Sequence, residues 1–345
     1  MRLPALGSLT PGSLTLLLLT AAALGSAPSA RAQVLPAFGT DRAGTVGFQF
    51  LKIATDARSI GMGSVGVTTA DDASALFWNP ALAAVASGPQ VAAARAAYFE
   101  GAQFTTNFAA ATVPLGGFTV GLSVQTLEAG RMNVTDEFNP EGTGETFGFV
   151  DAAIGATVSQ QLTDLFAYGV TAKYVRESTF GLTTASGAFD VGIHYRIGDT
   201  GARMGVAIRN FGLDAAPSGS LTRTDPNAAG GTVTESDFES ITMPTTFLLG
   251  LSYDAVRRGD HALTLASQLS RPNDNAESLG LAAEYAYRGV LSLRTGYRFG
   301  GEEYVGSFGG GVNVPALGAR TRIDYGFTRY DRLGNVHALG LNVGF

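Results

Sequence analysis

The sequence predicts an all-β protein, a transmembrane antiparallel β-barrel of about 14 strands with a short helical plug near its amino end. Three observations carry that expectation. Apolar and polar residues alternate with period two in segments of about ten residues, the segments are even in number, and their connections alternate between short and long.

The alternation is clearest at the carboxyl end, where "VHALGLNVGF" sets Leu339, Leu341, Val343 and Phe345 against Ala338, Gly340, Asn342 and Gly344. In "LSLRTGYRF", Leu291, Leu293, Tyr297 and Phe299 oppose Ser292, Arg294, Gly296 and Arg298. In "RTRIDYGF", Ile323, Tyr325 and Phe327 oppose Arg320, Arg322, Asp324 and Gly326. A sandwich would bury the apolar face against a second sheet, whereas a barrel would turn it to lipid and keep the polar face in the lumen.

Fourteen such segments run near 92–99, 104–113, 117–127, 148–161, 166–177, 186–197, 202–211, 244–254, 262–270, 277–288, 290–299, 303–314, 318–328 and 334–345. Roughly ten residues is the length a tilted strand needs to cross a bilayer. With both barrel termini periplasmic, short links at Pro114–Gly116, Leu162–Leu165, Gly198–Gly201, Arg257–Asp260, Arg288–Gly289 and Pro315–Leu317 share one end. The long connections, 128–147 and 212–243, share the other. That parity selects the barrel. Tyr168, Tyr253, Tyr285, Tyr287, Tyr297 and Phe299 suit interfacial girdles, and the terminal Phe345 suits recognition by barrel-assembly machinery.

Composition agrees with export to the outer membrane. Arg2, an apolar run from Leu14 to Leu24 and the Ala30-Arg31-Ala32 step form a signal-peptide pattern, and the run is too short to cross a bilayer. The expected organisation is a signal peptide at 1–32, a plug at 33–91 and the barrel at 92–345. Charged residues make up only 15% of the chain, against about 25% in typical soluble domains. Removing Arg2 and Arg31 from the 23 basic residues leaves 21 against 29 acidic ones, a balance of −8 that argues against nucleic-acid binding. No cysteine is present, so disulfides and thiolate metal sites are excluded.

A fourteen-stranded barrel encloses a lumen that needs filling or control, and the segment before the first strand is the candidate filler. In "ADDASALFWNPAL", Asp71 or Asp72 is placed to cap a short helix over Ala73–Phe77, and Asn79 followed by Pro80 is a cap and first position for a second. Ala81 continues that second helix, and Phe77 and Trp78 offer apolar surface to wedge against the wall.

The lumen-lining candidates are Asp190, His194, Arg196, Arg294, Arg298, Arg320, Arg322 and Asp324, with Arg203 and Arg209 beside them. The expectation is that the arginines pair with Asp190, Glu284, Asp324 and the plug, or select anions. The two lysines, Lys52 and Lys173, read as compositional bias, and the 46 glycines as small residues for turns and a curved sheet.

Catalysis has little support. Asp190 and His194 lie four residues apart on one strand, about 13 Å, too far for a relay. "GMGSVG" at Gly61–Gly66 lacks the strand and long helix of a phosphate loop. No cofactor or metal is expected. The acidic loop with Asp136, Glu137, Glu141 and Glu145 reads as solvated, with calcium or a partner contact as alternatives.

The run from Asp56 to Val85, "DARSIGMGSVGVTTADDASALFWNPALAAV", resembles the amino-terminal signature of the PorV/PorQ family and, more distantly, of FadL-type fatty-acid transporters. The resemblance implies that the Gly-rich stretch and the Asn-Pro-Ala element, here Asn79, Pro80 and Ala81, form a hatch inside a fourteen-stranded outer-membrane barrel. PorV-like proteins imply partners in type IX secretion and cargo with C-terminal signal domains. FadL-like proteins imply passage of hydrophobic molecules through a lateral opening in the wall. The sequence departs from the usual "AGLA" by carrying Leu82 after Ala81. The third strand, "GFTVGLSVQTL", has no proline, although Gly117 and Gly121 permit a kink there.

Overall fold

The computed structural model describes residues 44–345, apart from 100–103, 136, 138, 180, 225–231, 301–302 and 317–318. The signal-peptide expectation and the first residues of the expected plug lie outside the described residues.

Fourteen antiparallel strands close into one barrel. In chain order they are β1 (Gln90–Tyr98), β2 (Phe104–Leu115), β3 (Phe118–Glu128), β4 (Phe149–Gln161), β5 (Phe166–Thr179), β6 (Leu182–Ile197) and β7 (Ala202–Gly212). The second half comprises β8 (Thr246–Arg258), β9 (His261–Pro272), β10 (Ser278–Tyr287), β11 (Leu291–Phe299), β12 (Tyr304–Ala316), β13 (Ala319–Tyr330) and β14 (Gly334–Gly344). Each strand pairs with its sequence neighbours, and β14 closes on β1 from Gln90↔Gly344 to Tyr98↔Val336, so no edge is left open.

The period-two reading sets which face meets what. Leu122 and Leu339 point outward and are 65% and 62% exposed, as a lipid-facing surface requires, while Ser123, Asp324 and Ala338 on the opposite parity are buried inside. The two long connections emerge at one end, each carrying a two-stranded hairpin: Met132–Asn133 with Thr146–Phe147, and Leu221–Thr224 with Thr232–Glu235. Two strands run four residues past their expected ends: β8 reaches Arg258 rather than 254, and β6 starts at Leu182 rather than 186. Thr183, Thr184 and Ser186 carry no apolar alternation, yet their backbones continue the ladder with β5.

Residues 44–89 run through the bore. Near the long-loop end, Val46 bridges Thr242 and the Gly47 amide donates to the Thr242 carbonyl at 3.1 Å. The chain then forms a 3₁₀ turn at Gln49–Lys52, helix α1 (Ala57–Gly61), helix α2 (Ala75–Trp78) and a 3₁₀ helix at Pro80–Val85, before entering β1 at the opposite end. Asp56 caps α1 through its bond from the Ser59 amide. Asp72 accepts from the Ser74 amide at 2.7 Å, as expected of a cap, but the helix starts at Ala75 rather than Ala73, with Ser74 at its cap position. Asn79 caps the last helix by accepting from the Ala81 amide, with Pro80 at its first position.

The lumen glycines have a sharper purpose than sheet curvature. A Cβ built on Gly169 of β5 would lie 2.5 Å from Pro80 C, on Gly205 of β7 2.6 Å from Val67 O, on Gly280 of β10 2.7 Å from Val65, and on Gly309 of β12 3.1 Å from Gly61 Cα in the plug. Gly192, Gly250, Gly296 and Gly326 are likewise blocked by plug atoms. The positions follow one another across the ladders, as in Gly169↔Gly192, Gly205↔Gly250 and Gly309↔Gly326. They form a belt on which the plug backbone lies. On β9 the belt is occupied by Gln268, in register with Gly250 and Gly280. Its Oε1 accepts from the amides of Gly66 and Val67, and its Nε2 donates to the Ser64 carbonyl, all at 3.0 Å. Two internal cavities beside the plug hold about 10 Å³ each, room for roughly one water.

Gly205→Leu is therefore expected to displace the plug while the barrel still assembles, seen as a retained heat-modifiable gel band with raised passive uptake of small polar solutes. Leu341→Arg, on the lipid face, is expected to lower barrel stability by about 2–4 kcal/mol if it lies near the bilayer midplane, measured by refolding into vesicles.

Candidate functional site

The contact between plug and wall is the candidate functional site. Two plug residues and four wall residues form a closed ring of alternating charge, with a third plug residue attached to it. Arg58 of α1 bonds Glu284 of β10 (2.8 Å) and Asp71 (2.8 Å), and Asp71 also meets Arg322 of β13 (2.9 Å). Arg322 bonds Asp324 (2.8 Å), Asp324 bonds Arg294 of β11 (2.6 Å), and Arg294 returns to Glu284. Asp72 joins the ring at Arg322. Arg294 and Asp324 are almost fully buried, whereas Asp71 is more than half exposed. Buried ion pairs contribute little net stability against an apolar substitute, but they fix register, because a partner left alone is costly. The ring thus aligns plug with wall.

Trp78 bonds within the plug as well as meeting the wall. Its indole Nε1 donates to Asp56 Oδ2 at 2.7 Å, and its ring covers Gly66, where any Cβ would collide with it. It holds the two halves of the plug to each other. Against the wall, Phe77 packs edge-on to Phe108 of β2 with ring centroids 6.2 Å apart and lies 3.9 Å beneath the Arg209 guanidinium of β7, which is 5.7 Å from the Trp78 ring. Asn79 uses its whole amide. Its oxygen caps Ala81, and its Nδ2 donates to Val67 O at 3.1 Å and to Ile193 O of β6 at 3.0 Å. Pro80 and Ala81 lie over Gly169.

The other predicted lumen residues divide by position. Arg294, Arg322 and Asp324 belong to the ring. Asp190 is buried but pairs with Lys173 at 2.5 Å rather than with an arginine, so a lysine read as compositional bias is a buried structural partner. His194 is buried, with no bond to its Nδ1. Arg298 donates to Tyr330 Oη and stacks on Tyr304. Arg196 and Arg320 share the parity of the buried His194 and Asp324 but are exposed, at the short-turn ends of β6 and β13. Lys52 also has a partner, Asp274, at 2.7 Å.

Sequence reasoning missed Asp56, Arg58 and Gln268. The signal for Asp56 and Arg58 lay inside the quoted signature, as an Asp three residues before Ser59 at the start of a helix. Gln268 gave none. The third strand, β3, pairs with β2 and β4 without a register shift.

No family model matches the sequence, and no curated protein matches it. Solved structures do. The chain is similar to the Pseudomonas putida toluene transporter TodX, with a TM-score of 0.56 and 13% identity over 84% of this chain and 96% of that one. It is similar to a Pseudomonas aeruginosa FadL homologue, with a TM-score of 0.56 and 13% identity over 84% and 98% of the two chains. The Ralstonia pickettii toluene transporter TbuX gives a TM-score of 0.54 and 13% identity over 87% and 98%. At this identity the likeness is one of fold, that of the FadL-type outer-membrane barrel.

Arg294→Met removes the ring member that joins β10 to β13 and leaves Glu284 and Asp324 each one partner short. It is expected to cost about 3–5 kcal/mol, measured as a fall in the denaturation midpoint of the detergent-solubilised protein.

Proposed function

We propose that the chain is an outer-membrane channel for small hydrophobic compounds. The observation that carries this reading is the filled bore: among the described residues a plug is seated on a glycine belt, and the two cavities beside it each have room for about one water. Beneath the long-loop end, an apolar cluster of Phe48, Phe50, Leu51 and Met243 gives a hydrophobic compound a surface to enter on. The likeness in fold to proteins described as toluene transporters supports the same class of solute. In this reading the short turns face the periplasm, and no catalytic step is involved.

A second reading keeps the PorV-like role, with type IX secretion components and cargo C-terminal domains as partners. Its support is the resemblance of Asp56–Val85 and the two hairpin-bearing loops at one end of the barrel.

Expression in a strain lacking its own hydrocarbon channel separates the two. The transport reading expects faster entry of radiolabelled toluene with unchanged entry of a pentose. The secretion reading expects no gain for either, and in the native organism loss of surface attachment of proteins with C-terminal sorting domains when the gene is deleted.

A further inference from the structure

The outward positions of most strands are apolar, as on β8, where Phe247, Leu249, Leu251 and Tyr253 point outward in turn. Strands β13, β14, β1 and β2 break that pattern toward the long-loop end. One row across the ladders reads Tyr325, Leu339, Arg95, Asn107 and Thr126. The next row toward the rim reads Phe327, His337, Ala97, Thr105 and Glu128. Arg329 pairs with Asn335 in the row beyond. Asn107 Nδ2 donates to Thr126 Oγ1 at 3.2 Å, and Tyr325 Oη shares a bond with His337 Nδ1 at 2.8 Å. Polar groups thus stand where β8 carries leucine.

Two guanidiniums sit in this patch. Arg95 and Arg329 are exposed, and neither has an ion-pair or hydrogen-bond partner among the described residues. A cation on the outward face is costly at the bilayer midplane and tolerated near the interface. The wall is low at this point, since β1 has nine residues where β6 has sixteen. Arg95 lies three residues inside the end of β1 at Tyr98. That is about 10 Å along the strand and about 7 Å in depth at a tilt of about 45°. An arginine spans such a depth by laying its stem on the wall and raising its head to the headgroups. With the long loops outside, as proposed above, those headgroups belong to the outer leaflet. Below Arg95 the outward residues of β1 and β2 are small, Ala93, Ala109 and Ala111, and leave a shallow floor on which acyl chains can lie.

Charge selects the occupant. Among the described strand residues, Glu128 is the one carboxylate of outward parity, so a second copy of this chain would bring one carboxylate to two guanidiniums. A headgroup carrying phosphates meets both, because a guanidinium presents paired N–H donors to phosphate oxygens. Asn107, Thr105 and His337 beside them suit sugar hydroxyls.

We propose that the outward face of β13, β14, β1 and β2 is a binding site for a phosphorylated, multiply acylated glycolipid of the outer leaflet, of the lipid A type. Arg95 and Arg329 hold its phosphates, and its acyl chains lie over Ala93, Ala109 and Ala111. The site does not depend on what the barrel carries.

Native mass spectrometry of the full-length protein in mild detergent measures the apparent Kd for bisphosphorylated lipid A, with phosphatidylglycerol and phosphatidylcholine as comparison lipids and the heat-modifiable band confirming assembly. The variant is Arg95→Leu with Arg329→Leu. The control is Arg176→Leu, which removes an outward, exposed arginine of β5 whose cross-strand neighbours are Ala152 and Ala185. The expected result is that the double variant binds lipid A at least tenfold more weakly, while the control matches the unaltered protein and neither comparison lipid competes. Unchanged binding by the double variant, or an equal loss in the control, overturns the site. Phosphatidylglycerol bound as tightly as lipid A overturns the glycolipid assignment. A lipid-free dimer that the double variant lacks overturns it in favour of a second copy.

Discussion

The close approach of one backbone to another, possible only where side chains are missing, is the constraint on which this molecule depends. A fourteen-stranded wall is too wide to fill with its own side chains, so a separate length of chain fills it. That length can lie flat on the wall because Gly169, Gly192, Gly205, Gly250, Gly280, Gly296, Gly309 and Gly326 hold nothing in its way. Gln268 then supplies hydrogen bonds where the plug presents the two adjacent amides of Gly66 and Val67. Steric fit comes from the glycines, and register from the polar groups.

The charged ring makes sense on that basis. Two smooth backbones in contact could slide, and apolar packing alone is tolerant of small shifts. Arg58 and Asp71 on the plug, facing Glu284 and Arg322 on the wall, allow one alignment, since any slip leaves a buried charge without its partner. Asn79 acts in the same way with neutral groups, linking the turn at Val67, its own helix and β6.

Much of the barrel was legible because its signal is local. Leu339, Leu341 and Val343 alternate with glycine and asparagine, and a period of two needs no knowledge of the partner strand. The Asn79-Pro80 cap was legible for the same reason. The ring was not, because Arg58 and Glu284 lie 226 residues apart and nothing in either neighbourhood names the other. The glycine belt was hidden differently. Glycine in a turn, in a curved strand and beneath a packed backbone is the same letter, and only the register between strands shows that these eight form a track. Lys173 was passed over because a lone lysine among arginines looks like bias until Asp190 is seen beside it.

The path of the plug carries a mechanical consequence. Val46 is tied to Thr242 at the long-loop end, and at the other end Gly88 packs on Phe345, whose amide donates to Pro89 O at 2.9 Å. The segment is therefore strung through the bore and moored at both mouths, like a cord through a bead. A door hung on one hinge could swing clear of the opening; a cord held at both ends can only slacken or shift along its own length, and any opening of this molecule has to be found around it.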